Sequence, residues 1–277
     1  MKPRRGSTSS SRLRVTFTPR WLELVITIAF LVAGTECRRG SASTAPLFRA
    51  RTPAGAEIHW TVDEVVLEPI APSPESGLSS RDLLDALASE TRAWNEALDG
   101  CAAPRLRVGP LRLLGAARDD GRNVVVVRAT SWCPADRRAT EPCYEPDKEA
   151  TTNVRLRDEI EGPRAGEIRE ADIEVNAVNF RFSLDGDAPG TRSLRAVLGH
   201  ELGHVLGLGH SCAPHPAAVP AEGEAVSACA FAGASSSIMY PDPTEPGRPL
   251  VLEPGQDAVQ ALCGSARPRN GAGCARP

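Results

Sequence analysis

The chain has 277 residues, room for one large domain or two small ones. Hydrophobic residues are 41% and charged residues 24%, ordinary globular usage that excludes a wholly disordered chain, and aromatics at 4% demand an aliphatic core. The formal net charge of −3 gives no basic footprint for nucleic acid, and no nucleic-acid partner is expected.

Lys2, Arg4, Arg5, Arg12, Arg14 and Arg20 precede an apolar run from Leu24 to Ala33, and small residues follow. That order reads as a secretory signal peptide over residues 1–34. The run falls short of the roughly 20 apolar residues of a membrane span, so an uncleaved anchor is the lesser alternative. Val32-Ala33-Gly34 and Ser43-Thr44-Ala45 are both cleavage candidates. Lipidation of Cys37 is a minority reading, because Glu36 stands where a small residue should be. Membrane contact is expected only if the leader is retained or Cys37 is lipidated. Removing the leader takes the net charge from −3 to −8, so the exported protein is acidic.

Eight cysteines in an exported chain suggest disulfides. Cys133/Cys143 and Cys212/Cys229 are spaced to close local loops, Cys101 could then pair with Cys263, and Cys37 with Cys274 if cleavage keeps Cys37. The connectivity itself is not deducible from spacing. No CxxC pair occurs, which argues against a cysteine metal site.

Residues 35–54 read as a linker and 55–264 as one domain. Ile58, Trp60 and Val62 alternate with polar neighbours as in a half-buried strand. Leu83, Leu84, Leu87, Trp94 and Leu98 repeat at helical spacing, with Ser79 or Ser80 to cap the helix and Gly100 to end it. Val124–Val127 predicts a buried strand, and the polar stretch from Cys133 to about Arg164 a surface loop. Ile168, Ala171, Ile173 and Val175 predict another strand, running on to Phe180 and Phe182. Ser183–Gly190 is a turn region. Leu194, Val197, Leu198, Leu202, Val205 and Leu206 form the stripe of a second helix, capped by Thr191 or Ser193. A short last helix spans about Gly255–Leu262, and residues 265–277 read as a flexible tail.

The informative segment is His200-Glu201-Leu202-Gly203-His204-Val205-Leu206-Gly207-Leu208-Gly209-His210. Residues four apart share a helix face, so His200 and His204 can aim at one ion. Glu201 lies beside them, placed to act on a metal-bound water without being a ligand. Gly207 can end the helix in a left-handed turn and let His210 return as a third ligand. Three histidines leave one tetrahedral position open, the mark of a catalytic zinc site. The full pattern arises by chance in about 1 in 10⁵ such chains. Gly203 inside a helix costs about 1 kcal/mol relative to Ala, and close approach of another backbone is one reason to keep it.

The motif, followed by Ser211, resembles the metzincin clan of zinc metallopeptidases and, within it, the matrixins. Ser237-Ile238-Met239-Tyr240-Pro241 resembles their Met-turn, Leu252–Gly264 their closing helix, and Ala171-Asp172-Ile173 with Asn176 the strand before the zinc helix. The resemblance implies an α+β fold: a twisted, mixed five-stranded sheet with one antiparallel edge strand, three helices, and a cleft at the zinc helix. It implies a zinc endopeptidase with one catalytic Zn2+ on His200, His204 and His210, and Glu201 as general base. Met239 would form the floor, Tyr240 and Pro241 would shape the substrate pocket, and the edge strand near Ile168–Asn176 would pair with an extended peptide. Tyr240 is assigned no catalytic role.

Several features depart from the family. The link from His210 to Met239 is long and carries Cys212 and Cys229. Pro243 stands where a wall tyrosine is common. Only His59 lies upstream of His200, so a second, structural zinc is not expected, and no cysteine-switch propeptide precedes the domain. Calcium is an open option, with Asp172, Asp185 and Asp187 as candidates. His215 reads as a loop histidine. The rival readings are an exported zinc-binding surface or adhesion module without turnover, and a processing peptidase of narrow specificity. A secreted or otherwise extracytoplasmic monomer is expected in each case.

Overall fold

The computed structural model describes residues 49–264, apart from 118, 135–141, 158–160, 163, 213–228, 230–235 and 247–248. The leader, Cys37, Cys274, His215 and the tail lie outside the described residues.

Five strands make one mixed sheet in the order β2-β1-β3-β5-β4. They are β1 (Glu64–Pro69), β2 (Arg105–Val108), β3 (Asn123–Arg128), β4 (Ala150–Leu156) and β5 (Ile168–Asn176). Only the β4/β5 pair is antiparallel. The α+β class, the five strands, the antiparallel edge and the three helices are as expected. Two short strands, β6 (Phe182–Ser183) and β7 (Arg192–Ser193), pair beside the second helix.

Helix α1 (Ser80–Ala97) starts at a capping box: the Asp82 N–H donates to Ser79 Oγ, and the Ser79 N–H donates to Asp82 Oδ2. Leu83, Ala86, Leu87 and Trp94 bury one face against the sheet and α2 (Leu194–Val205). Ser193 caps α2 by accepting the Ala196 N–H. Ten residues of α2 are buried, so it is a core helix rather than a surface one. The Trp94 indole donates to the Gly199 carbonyl at 2.8 Å and fixes the two helices against each other. Helix α3 (Gln256–Cys263) closes the fold.

Four expectations change. Ile168–Asn176 is not the edge strand but an interior one between β3 and β4. Ala171, Ile173 and Val175 face the core, while Glu170, Asp172, Glu174 and Asn176 occupy its other face, also fully buried. Those polar groups are satisfied by neighbouring segments: Arg155 and Asp120 N–H on Glu170, Val124 N–H on Asp172, and Arg128, Tyr144 and Asn153 on Glu174. The antiparallel edge is β4, inside the segment expected to be a loop; its Ala-Thr-Thr-Asn-Val-Arg-Leu residues are all half-buried, so no apolar face announces it. The strand does not run on to Phe182, because Asn176 Oδ1 accepts the Asn179 N–H and turns the chain. Within Ile58–Val62 only His59 forms a bridge, to Glu167, and the first strand begins at Glu64. Trp60 is diverted to α2, donating to the Val205 carbonyl at 2.7 Å.

The domain also begins ahead of residue 55. Arg49–Ile58 folds back on itself, and the Ala50 N–H donates to the Gly207 carbonyl at 2.9 Å. Among the described residues three disulfides are formed: Cys101–Cys263, Cys133–Cys143 and Cys212–Cys229. They point to an oxidising, extracytoplasmic compartment. Among the described residues, no helix is long and apolar enough to cross a membrane.

Candidate metal centre

α2 carries His200 and His204 on one face, one turn apart. The helix then ends in a Schellman turn: the Leu208 N–H bonds to the Gly203 carbonyl and the Gly207 N–H to the His204 carbonyl, both at 2.9 Å. Gly207 has φ +92°, and a Cβ there would meet the Ile58 carbonyl oxygen at 2.7 Å. Glycine is therefore required on both conformational and steric grounds. The turn returns His210 to the face of the other two rings.

The three rings converge through Nε2. His204 Nε2 lies 3.1 Å from His200 Nε2 and 3.2 Å from His210 Nε2. The other ring nitrogen is occupied in His200 and His204. His200 Nδ1 is 2.8 Å from the Ile238 carbonyl, and His204 Nδ1 is 2.8 Å from the Leu208 carbonyl. A carbonyl only accepts, so both Nδ1 atoms carry the proton and both Nε2 atoms present lone pairs. Burial, then His204 and Lys148, hold His210 at a pKa of about 3, so it too is neutral. Lone pairs facing one another at 3.1–3.2 Å repel unless a cation lies between them. Bonds of about 2.0–2.1 Å at tetrahedral angles put ligand nitrogens about 3.3 Å apart, so the trio fits an ion of zinc's size. Among the described residues it is the one group of histidine, cysteine or carboxylate side chains placed to hold an ion.

Glu201, 5% exposed, points to the same cleft. The Thr152 hydroxyl of β4 donates to Glu201 Oε2 at 2.5 Å. Burial raises the Glu201 pKa, while His204 and the Thr152 hydrogen bond act in the opposite direction.

Beneath the trio lies the turn at Ser237–Tyr240. The Met239 carbonyl accepts the Ser211 N–H at 2.8 Å, and Ser237 Oγ donates to Asp257 Oδ2 of α3 at 2.6 Å. Met239, 3% exposed, packs on Gly203. The close approach at Gly203 is thus to the Met239 side chain, with Trp94 beside it.

The cleft has a volume of about 1190 Å³ and runs past all three histidines and Glu201. Ala150, Thr151, Thr152 and Val154 of β4 form one side, and Pro241, Asp242 and Pro243 another. Pro241 is where the sequence places it. Tyr240 is half-buried and is not among the lining residues. The calcium candidates are not assembled. Asp172 accepts the Val124 N–H, Asp185 pairs with Arg195, and Asp187 accepts from Ser183.

Sequence reading missed Thr152 and the Ile238 and Leu208 carbonyls. The carbonyls have no sequence signature. Thr152 had one, the β-branched Thr151, Thr152 and Val154 in a polar stretch. Set against models of known protein families and against curated proteins, the chain matches none.

Proposed function

We propose that the chain is an exported zinc-dependent endopeptidase. Imidazole suits several first-row ions, and the resemblance of the motif selects zinc among them. The observation that carries the reading is the convergence of three Nε2 lone pairs beside the Glu201 carboxylate, at the floor of a cleft flanked by a sheet edge.

A zinc ion held there supplies Lewis acidity and lowers the pKa of a bound water toward about 7. Glu201 does the proton work. Thr152 holds Oε2, which orients the carboxylate and leaves Oε1 for the attacking water. Glu201 takes one proton as the water oxygen bonds to the peptide carbon. It returns that proton to the nitrogen as the C–N bond breaks, so the amine leaves neutral. β4, the terminal strand of the sheet, presents its edge to an extended peptide, the role that the resemblance implies for Ile168–Asn176.

The test is metal analysis paired with a casein cleavage assay, with and without a chelator. One zinc per chain and chelator-sensitive cleavage are expected. Zinc without cleavage of any protein or peptide would favour a binding module.

A further inference from the structure

The cleft carries charge that hydrolysis does not use. Glu145, Asp147, Glu149 and Asp242 line it, opposed by one lysine, Lys148. Acidic rims are usually only solvated, but Glu149 is a different case. Its side chain is 8% exposed. Its Oε1 takes Arg192 Nε at 2.9 Å and the Thr244 hydroxyl. Its Oε2 is buried with no hydrogen-bond partner. An orphaned carboxylate oxygen in the interior is costly and calls for a reason.

Its position supplies one. Glu149 directly precedes β4, the strand whose Thr152 holds Glu201, and its carbonyl is fixed by the Asn176 N–H at 2.8 Å. Val197, one turn before Glu201 on α2, and Pro241 line the same cleft. Burial raises the Glu149 pKa, the Thr244 hydrogen bond and Arg192 act against it, and the charges of Asp242 and Glu201 act with it. A cation arriving there meets apolar walls for an alkyl stem and an acceptor at the end.

We propose that Glu149, with Asp242 at the rim, forms a subsite for a basic side chain of an extended peptide, whose cation pairs with the Glu149 carboxylate. The scissile bond beside this subsite rests on the endopeptidase reading; the subsite itself is tested without it.

The experiment uses the zinc-loaded chain carrying Glu201→Ala, so that peptides persist. Fluorescent hexapeptides with lysine at each successive position, on an alanine background, are compared with norleucine partners by anisotropy. At one position lysine should bind about tenfold or more tighter than norleucine. Glu149→Gln, which keeps an acceptor for Arg192 and Thr244, should erase that difference while zinc content stays unchanged. If Glu149→Gln does not fold, Asp242→Asn, at an exposed position, should reduce it. Absence of any lysine preference, or one that survives both substitutions, overturns the proposal. The same peptides are then offered to the unsubstituted chain. A lysine preference in binding without any cleavage keeps the subsite and removes the peptidase. Cleavage without the preference does the reverse.

Discussion

The sulfur of Met239 occupies the space that a Cβ on Gly203 would need. This pair joins the floor of the site to the helix that carries two of the three histidines. Gly203→Ala should therefore destabilise, although Ala gains about 1 kcal/mol of helix propensity over Gly. Overpacking against Met239 and Trp94 costs about 1–3 kcal/mol and outweighs that gain. Denaturant titration should give a lower midpoint, and zinc competition a weaker affinity. An unchanged midpoint would contradict the packing described.

Glu201→Ala should retain one zinc per chain, because the carboxylate is not a ligand. Cleavage should fall by about 10²–10⁴-fold. Metal analysis and casein turnover on the same sample separate the two effects.

Thr152→Val keeps the strand residue β-branched and removes the only side-chain hydroxyl on Glu201 among the described residues. A fall in kcat of about tenfold is expected, from the loss of one hydrogen bond to a charged group. Zinc content should not change, and Thr152→Ser should recover most of the rate. A Ser variant as poor as the Val variant would mean the hydroxyl is not the active feature.

Removing the metal leaves lone pairs aimed at one another, so the apo protein should melt at lower temperature than the holo protein. The difference grows with free zinc as mass action requires. His210→Ala should weaken zinc binding while α2 stays folded, since His210 lies beyond the helix. Calorimetry with and without chelator reads the first effect, and zinc competition the second.

Cys101–Cys263 ties the loop after α1 to the end of α3, across a separation of 162 residues. Replacing both cysteines by serine should cost about 2–5 kcal/mol of stability. Asp257 of α3 also holds Ser237, so zinc affinity should fall with it. Paired denaturation and zinc titrations check both.

The helices were legible because their signals are local: the Ser79 and Ser193 caps, the stripes from Leu83 and Leu194, and the glycine at 207. The metal trio was legible because two ligands sit at i and i+4 and the third follows a glycine turn. β2 was missed because it has four residues and one buried side chain, that of Leu106, whose backbone is held by Asn95. β4 and the polar face of β5 misled for a shared reason. Their polar side chains are matched to one another across the sheet, Arg155 to Glu170 and Asn153 to Glu174, so β4 shows no apolar alternation and the polar face of β5 reads as one turned to solvent. Pairing of that kind is a tertiary property, invisible one segment at a time.

The rung between Ala50 and Gly207 sets a limit on how far the chain can be shortened from its N-terminal side. Proteolytic trimming that stops before Arg49 leaves the histidine turn braced. A cut past Ala50 unfastens it, and a chain shortened beyond that point should grip a metal ion less tightly.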